Sequence, residues 1–184
     1  MGAVDEDGEV DVIGIVSPPR VTTRAEKYGL RPGPAYDLRG IEPSDIRDPA
    51  CRAKIREDVK RRRPFCVIGC PPCTVFSVLQ AANPNKDSPE LRQRYCEALG
   101  FLGFCAEVYR MQAGAGRLYI HEHPASASSW KIDPMKTLAA EYGAYLVKGD
   151  QCMFGLMTRT IGGGEAPAKK HTMFLTNSLA VAGA

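Results

Sequence analysis

Side chains that could do chemistry or hold a ligand occur at four places in the chain. These are residues 17–20 (SPPR), Asp37 with Asp45, residues 70–77 (CPPCTVFS) and residues 121–124 (HEHP). Cysteine thiolates act as nucleophiles or redox groups, and carboxylates accept hydrogen bonds or move protons. His121 and His123 are two apart and would share one face of a strand, as two ligands of a metal ion would. No third ligand stands at fitting spacing, so no metal site is predicted.

Each of the four places follows an apolar run that is typical of a buried strand. The predicted strands are residues 10–16, 34–38, 64–69, 118–121, 144–147 and 172–176, and the predicted helices are residues 22–30, 50–63 and 91–112. Alternation of strand and helix predicts an α/β, Rossmann-like fold with a mostly parallel sheet of about six or seven strands. Because ligands bind such sheets beyond the carboxyl ends of the strands, the four places are expected to converge there.

Composition and charge narrow the class of protein. The 184 residues are 44% hydrophobic and 24% charged, which is typical of one soluble globular domain. We expect an acidic lead at residues 1–9, the domain at residues 10–178 and a tail at residues 179–184. No apolar run reaches about 18 residues and the acidic start is unlike a signal peptide, so an intracellular protein of the nucleus or cytoplasm, with no membrane contact, is predicted.

The net charge and the cysteines bear on possible partners and on the redox state of the protein. A net charge of +3 permits contact with a polyanion without requiring it. The seven cysteines are an odd number scattered over apolar segments, which favours free thiols in a reducing compartment over a disulfide framework.

Several segments, in order, resemble the DNA cytosine-5 methyltransferases. Pro72-Cys73 followed by Phe76-Ser77 resembles the catalytic motif of that family, and residues 63–69 resemble the strand that leads into it. Residues 44–47 (SDIR) resemble its short Asp-Ile cofactor motif, and residues 119–124 (YIHEHP) its strand ending in Glu-Asn-Val. Four ordered matches over roughly residues 10–125 are more specific than any one short motif. The resemblance implies a Rossmann-like, S-adenosylmethionine-dependent methyltransferase core.

The resemblance also implies catalytic roles. Cys73 would add to carbon 6 of cytosine, and Glu122 would contact nitrogen 3 and the exocyclic amine. Arg159, in residues 154–159 (FGLMTR), is loosely similar to the family's Gln-x-Arg-x-Arg element. The substrate would be nucleic acid, DNA in particular, whose target base must leave the duplex. A separate or fused recognition domain is an implied partner, since 184 residues leave no room for the family's own.

S-adenosylmethionine is the implied cofactor. Its predicted contacts are Ser17 and Arg20 in the first loop, Asp37 on the ribose, Asp45 and Ile46 on the adenine, and Pro71 beside the catalytic cysteine. Residues 17–20 (SPPR) stand where the family has a glycine-rich loop. Prolines lack amide donors, so weak cofactor binding is predicted.

Two other functions fit parts of the sequence. The first is a catalytically impaired, methyltransferase-like nucleic-acid-binding or scaffold module of a mobile element or polyprotein, consistent with the irregular cofactor loop. The second is a thiol oxidoreductase, because a strand, then Cys-x-x-Cys, then a helix is also the thioredoxin arrangement. That alternative leaves Asp45, Glu122 and Phe76-Ser77 without a role.

Overall fold

The computed structural model describes residues 8–38 and 43–184 as an α/β fold. The strands are β1 Val12–Ile15, β2 Pro32–Tyr36, β3 Cys66–Gly69, β4 Leu118–Pro124, β5 Tyr145–Asp150, β6 Met157–Arg159, β7 Glu165–Pro167 and β8 His171–Thr176. The helices are α1 Thr22–Ala25, α2 Pro49–Arg62, α3 Pro89–Gly114, α4 Met135–Ala140 and α5 Leu179–Ala182.

Six strands form one sheet in the order β2-β1-β3-β4-β8-β5. β1 pairs parallel with β2 and β3, and β3 pairs parallel with β4. β8 is antiparallel to both of its neighbours, so β5 runs in the same direction as β4. The predicted α/β class and mostly parallel sheet are confirmed, with six strands in the sheet.

The predicted helices form where capping signals stand in the sequence. Asp48 caps α2 by accepting a hydrogen bond from the Ala50 amide, and Pro49 fits the first helical turn. Ser88 caps α3 in the same way, through the amide of Leu91. The long helix α3 then packs along β3 and β4 and positions the centre of the sheet.

β4 divides its side chains between the two faces of the sheet. Tyr119, His121 and His123 are buried on the face that packs against α3, where the Tyr119 ring stacks on Tyr109 at 4.9 Å between centroids. The intervening residues are only partly buried. This second face, called here the open face, carries Glu122 and, opposite it on β8, Phe174.

Two strands, β6 and β7, and two helices, α4 and α5, were not predicted. The hairpin of β6 and β7 is a separate two-stranded sheet of mostly exposed residues, so no buried apolar alternation marks it. α4 follows β4, and α5 lies within the predicted tail. Among the helices in residues 8–38 and 43–184, none combines the length and the apolar character needed to cross a membrane.

Candidate active site

The carboxyl edge of the sheet brings three of the four chemical segments together. Gly69 of β3 pairs with both Ile15 of β1 and His121 of β4, so the residues that follow these strands are neighbours. The Cys70 thiol lies close to the Glu122 carboxylate and to the Ser17 hydroxyl. The strand register therefore joins the loop after β1, the cysteine loop and the end of β4.

Glu122 is held from a second side by the last part of the chain. Its Oε1 accepts hydrogen bonds from Gln151 Nε2 at 3.1 Å and from Lys170 Nζ at 3.3 Å. The backbone amide of Gln151 also donates to the Lys170 carbonyl at 3.0 Å, so the two partners of Glu122 are bonded to each other. With 16% of its side chain exposed, Glu122 is a fixed carboxylate that one small polar molecule could still reach.

His123 fixes the cysteine loop against β4. Its Nε2 lies 2.9 Å from the Pro71 carbonyl oxygen and its Nδ1 lies 2.7 Å from Ser129 Oγ. A carbonyl oxygen only accepts, so Nε2 carries the proton and Nδ1 accepts from the serine hydroxyl. Burial lowers the pKa of His123 below its usual 6.5, which keeps the ring neutral in this role. His123 is therefore a positioning residue for the loop that carries Cys73.

The two cysteines of this loop lie in different surroundings. Burial, with the Glu122 carboxylate beside the thiol, raises the pKa of Cys70 to about 12, so Cys70 stays protonated near neutral pH. Cys73 is half-buried and opens a 3-10 turn, Thr74–Phe76, in which the Phe76 amide donates to the Cys73 carbonyl at 3.0 Å. Cys73 is thus followed by a single 3-10 turn in place of the helix of the thioredoxin arrangement, and this turn supplies fewer free amides than a full helix.

The predicted cofactor residues near β1 and β2 lie at the same edge. Ser17 is buried, Arg20 is exposed, and Asp37 is half-buried directly after β2. Val16 precedes Ser17 with φ at 49°, and its amide donates to the Tyr36 carbonyl at 2.8 Å. The ends of β1 and β2 are therefore still joined where these side chains leave the sheet.

The Asp-Ile segment is bound to its own surroundings. Asp45 accepts from the Arg47 guanidinium at 2.9 and 2.8 Å, and this pairing lowers the pKa of the carboxyl. Ile46 is 3% exposed and belongs to the hydrophobic core. An adenine contact from Asp45 would have to compete with Arg47, so the roles of Asp45 and Ile46 stay predictions.

Arg159 lies on the exposed strand β6 and pairs in register with Glu165 of β7. Its catalytic role stays a prediction, as do those of Cys73 and Glu122. The sequence analysis missed Gln151, Lys170 and the loop contact of His123. Only the position of His123 beside Glu122 could have pointed to its role, since the other two lie far along the chain from Glu122.

A cleft of about 520 Å³ opens at this edge, where β4, β5 and β8 meet. It is lined by Ala125, Ser126, Lys148, Gly149, Asp150, His171 and Thr172. His171 Nδ1 lies 2.6 Å from Asp150 Oδ1, and both side chains are accessible. A volume of this size suits a small organic ligand such as one nucleotide.

The described residues hold no cluster of three or more metal-ligating side chains. The functional evidence is the meeting of the cysteine loop and the fixed carboxylate of Glu122 at the carboxyl edge of the sheet, whereas the lining of the cleft includes neither. No protein-family model matches the chain, and no curated protein matches it.

Proposed function

We propose that this chain is a cytosine-5 methyltransferase-like domain that acts on cytosine in nucleic acid through a covalent adduct with Cys73. The observation that carries the proposal is the fixed carboxylate of Glu122 beside the loop that holds Cys73. The cysteine motif follows β3 and the Glu122 motif lies in β4, and these two strands are neighbours in the sheet, which supports the proposal. The six-strand, mostly parallel sheet is compatible with this proposal.

The reaction needs a nucleophile because carbon 5 of cytosine is too electron-poor to take a methyl group directly. The Cys73 thiolate adds to carbon 6 and forms a sulfur–carbon bond, and the electron pair of the 5,6 double bond becomes available at carbon 5. A proton shared between Glu122 and nitrogen 3 balances the negative charge that the thiolate brings to the ring. Once carbon 5 carries the methyl group, its proton passes to water and the sulfur–carbon bond breaks to release the Cys73 thiolate, which restores the 5,6 double bond. The proton on nitrogen 3 returns to Glu122.

Glu122 suits this role because its neighbours hold the carboxylate in place and still leave it accessible to a ligand. Gln151 and Lys170 donate hydrogen bonds to Oε1, and the Cys70 thiol lies nearby on the β3 side. Burial raises the pKa of Cys70, so this thiol stays protonated and is not the nucleophile in the proposed reaction. The same raised pKa argues against a thiol oxidoreductase, in which the first cysteine of the pair is an activated thiolate.

The residues at the ends of β1 and β2 fit S-adenosylmethionine in part. Asp37 is half-buried at the end of β2 and would bind the ribose hydroxyls, and the exposed Arg20 would pair with the cofactor carboxylate. Pro18 and Pro19 offer no amide donors there, so the group would be held by fewer hydrogen bonds. When bound, the cofactor supplies the methyl group that carbon 5 takes up in exchange for its proton, and leaves as the demethylated thioether.

Covalent trapping tests the proposal. Wild-type protein mixed with S-adenosylmethionine and an oligonucleotide that carries a mechanism-based cytosine analogue should give an adduct detected by intact mass. Cys73→Ser should abolish this adduct, whereas the matched control Cys70→Ser should keep it. Equal adduct yield from Cys73→Ser, or loss of adduct only in Cys70→Ser, would refute the role of Cys73.

A non-catalytic nucleic-acid-binding module is the second candidate, favoured by the prolines at positions 18 and 19 and by the Asp45–Arg47 pair. Calorimetric titration with S-adenosylmethionine separates the two. The methyltransferase proposal expects weak binding that weakens further in Asp37→Ala and Arg20→Ala but not in Glu57→Ala, an exposed acid on α2. Absence of binding at millimolar cofactor would favour the non-catalytic module.

A further inference from the structure

Phe154 is an exposed aromatic residue that the fold holds in one place. It is 68% exposed, and its ring packs edge-on against Phe174 with centroids 6.5 Å apart. Gly149 makes room for it, because a Cβ there would lie 3.2 Å from Phe154 Cε2. Gly155, at φ 81°, then ends the 3-10 turn Gln151–Phe154 in a left-handed conformation that favours glycine. The ring is therefore presented to solvent by a built turn.

This ring lies on the open face beside the fixed carboxylate. Phe174, which contacts Phe154, pairs directly with Glu122 across β4 and β8. Gln151, in the same turn as Phe154, donates to the Glu122 carboxylate. The Phe154 ring and the Glu122 carboxylate are thus linked indirectly in two ways, through Phe174 and through Gln151.

Positive charge lies along the same turn. Two backbone hydrogen bonds hold residues 168–170, just before β8, against this turn. The Gln151 backbone amide donates to the Lys170 carbonyl at 3.0 Å, and the Ala168 backbone amide donates to the Leu156 carbonyl at 2.8 Å. Between these bonds stands Lys169, whose side chain is 66% exposed. Lys169 Nζ lies 3.9 Å from Asp150, a distance that leaves the ammonium able to contact an anion.

We propose that Phe154 and Lys169 bind a single-stranded nucleic acid, with an unpaired base stacked on the Phe154 ring and an adjoining phosphate on Lys169. Aromatic rings combined with basic side chains are the usual platform for single strands, because every unpaired base has a free π-face. A paired duplex hides those faces, so the substrate is a strand whose bases are already exposed. The inference rests on the proposed function, since the strand is the one whose cytosine Glu122 holds.

Binding of a fluorescently labelled 12-nucleotide single strand, measured by anisotropy, tests the role of the ring. Phe154→Ala should weaken binding about 5- to 150-fold, the range expected for one stacked base. Phe154→Tyr should bind within about twofold of wild type, because it keeps the ring. The matched control is Met153→Ala, which removes a neighbouring side chain that is 80% exposed and should leave affinity unchanged. The same oligonucleotide in duplex form should bind more weakly than the single strand.

Salt dependence tests the phosphate contact. Lys169→Ala should reduce the slope of log affinity against log salt by about 0.7, the value for one phosphate of a single strand. Lys54→Ala, on the exposed side of α2, should leave the slope unchanged. An unchanged slope in Lys169→Ala would overturn the placement of the phosphate.

Two further results would overturn the stacking proposal: wild-type affinity in Phe154→Ala, or an equal loss in Met153→Ala. Because most of the Phe154 side chain is exposed, its removal should lower the thermal midpoint only slightly, and circular dichroism verifies that each variant is folded. This test needs no adduct, so its failure is distinguishable from failure of the proposed function. Ring-dependent binding without a Cys73 adduct supports the single-strand site alone, and an adduct without ring dependence refutes the site alone.

Discussion

The two buried histidines should make the protein unstable in mild acid. His121 and His123 are fully buried, and burial lowers the pKa of both below 6.5, in the case of His121 far below it. His121 Nδ1 contacts the Tyr109 hydroxyl at 3.1 Å, while Nε2 has no hydrogen-bond partner among the described residues. The unfolded chain gains protons on these rings below pH 6.5 and the folded chain does not, so the free energy of unfolding falls as pH falls.

The size of the effect follows from proton linkage. A histidine that stays neutral in the folded state lowers the free energy of unfolding by about 1.4 kcal/mol for each pH unit below 6.5. At pH 5 the loss amounts to about 2 kcal/mol. His121 should contribute this amount. His123 should contribute less, because its hydrogen bond to the Pro71 carbonyl and the nearby Glu122 carboxylate both favour the charged ring.

Carboxylates do not contribute in the same range of pH. Hydrogen bonds from arginine or tyrosine side chains lower the pKa of four acids, Asp11, Asp45, Asp58 and Glu107. A carboxyl group whose pKa is lowered by folding stabilises the protein above its unfolded value, and this contribution is lost only as pH falls below about 4. The range from pH 6.5 to pH 5 therefore reports the histidines.

Urea unfolding between about pH 7.5 and pH 5 measures the effect, provided that the m-value stays constant. His121→Phe keeps a ring of similar volume and should remove about 2 kcal/mol of the acid-dependent loss. His171→Gln is the matched control, because the side chain of His171, the third histidine of the chain, is 68% exposed. A wild-type stability that is flat down to pH 5, or an acid loss that disappears in His171→Gln, would refute the reasoning.

Two pairs of substitutions test the backbone, each by urea unfolding. Arg63→Gly should raise the free energy of unfolding by about 0.5–1 kcal/mol, because Arg63 ends α2 at φ 48°, whereas Lys60→Gly within the helix should lower it by about 1 kcal/mol. Gly69→Ala should lower it by about 3 kcal/mol, because the added Cβ would lie 2.0 Å from the Tyr109 hydroxyl oxygen, whereas Gly103→Ala, in open space within α3, should raise it by about 1 kcal/mol. Changes of the same sign within either pair would contradict these assignments.

The parts of the fold that the sequence predicts are those with a local physical signal. β1 and β3 are short apolar runs that the sheet buries, and α2 and α3 begin at Asp48 and Ser88. The β6–β7 hairpin lacks such a signal because its side chains are mostly exposed. Backbone hydrogen bonds and the Thr160 side chain hold the hairpin together, and neither produces a hydrophobic pattern in the sequence.

In the candidate site, too, contacts that follow from the order of the strands can be predicted, whereas contacts with residues distant in sequence cannot. The order of the motifs predicts that the cysteine loop and Glu122 meet, because consecutive parallel strands end at one edge. The partners of Glu122 could not be predicted, since Gln151 and Lys170 lie 29 and 48 residues away in sequence. The local competition for Asp45 was visible in principle, because Arg47 stands only two residues further along.

Backbone strain at the end of β1 is consistent with the proposed site at the carboxyl edge of the sheet, although Arg63 and Tyr142 also have positive φ. Val16 is β-branched and buried, yet its φ of 49° lies in the left-handed region, which costs a non-glycine residue about 1–2 kcal/mol. A hydrogen bond from its backbone amide to the Tyr36 carbonyl holds that conformation, and the next residue, Ser17, lies close to Cys70. Strain of this kind persists where the surrounding structure imposes it, and it concentrates at functional sites. The strained end of β1 therefore lies where Ser17 is close to Cys70, which in turn is close to Glu122.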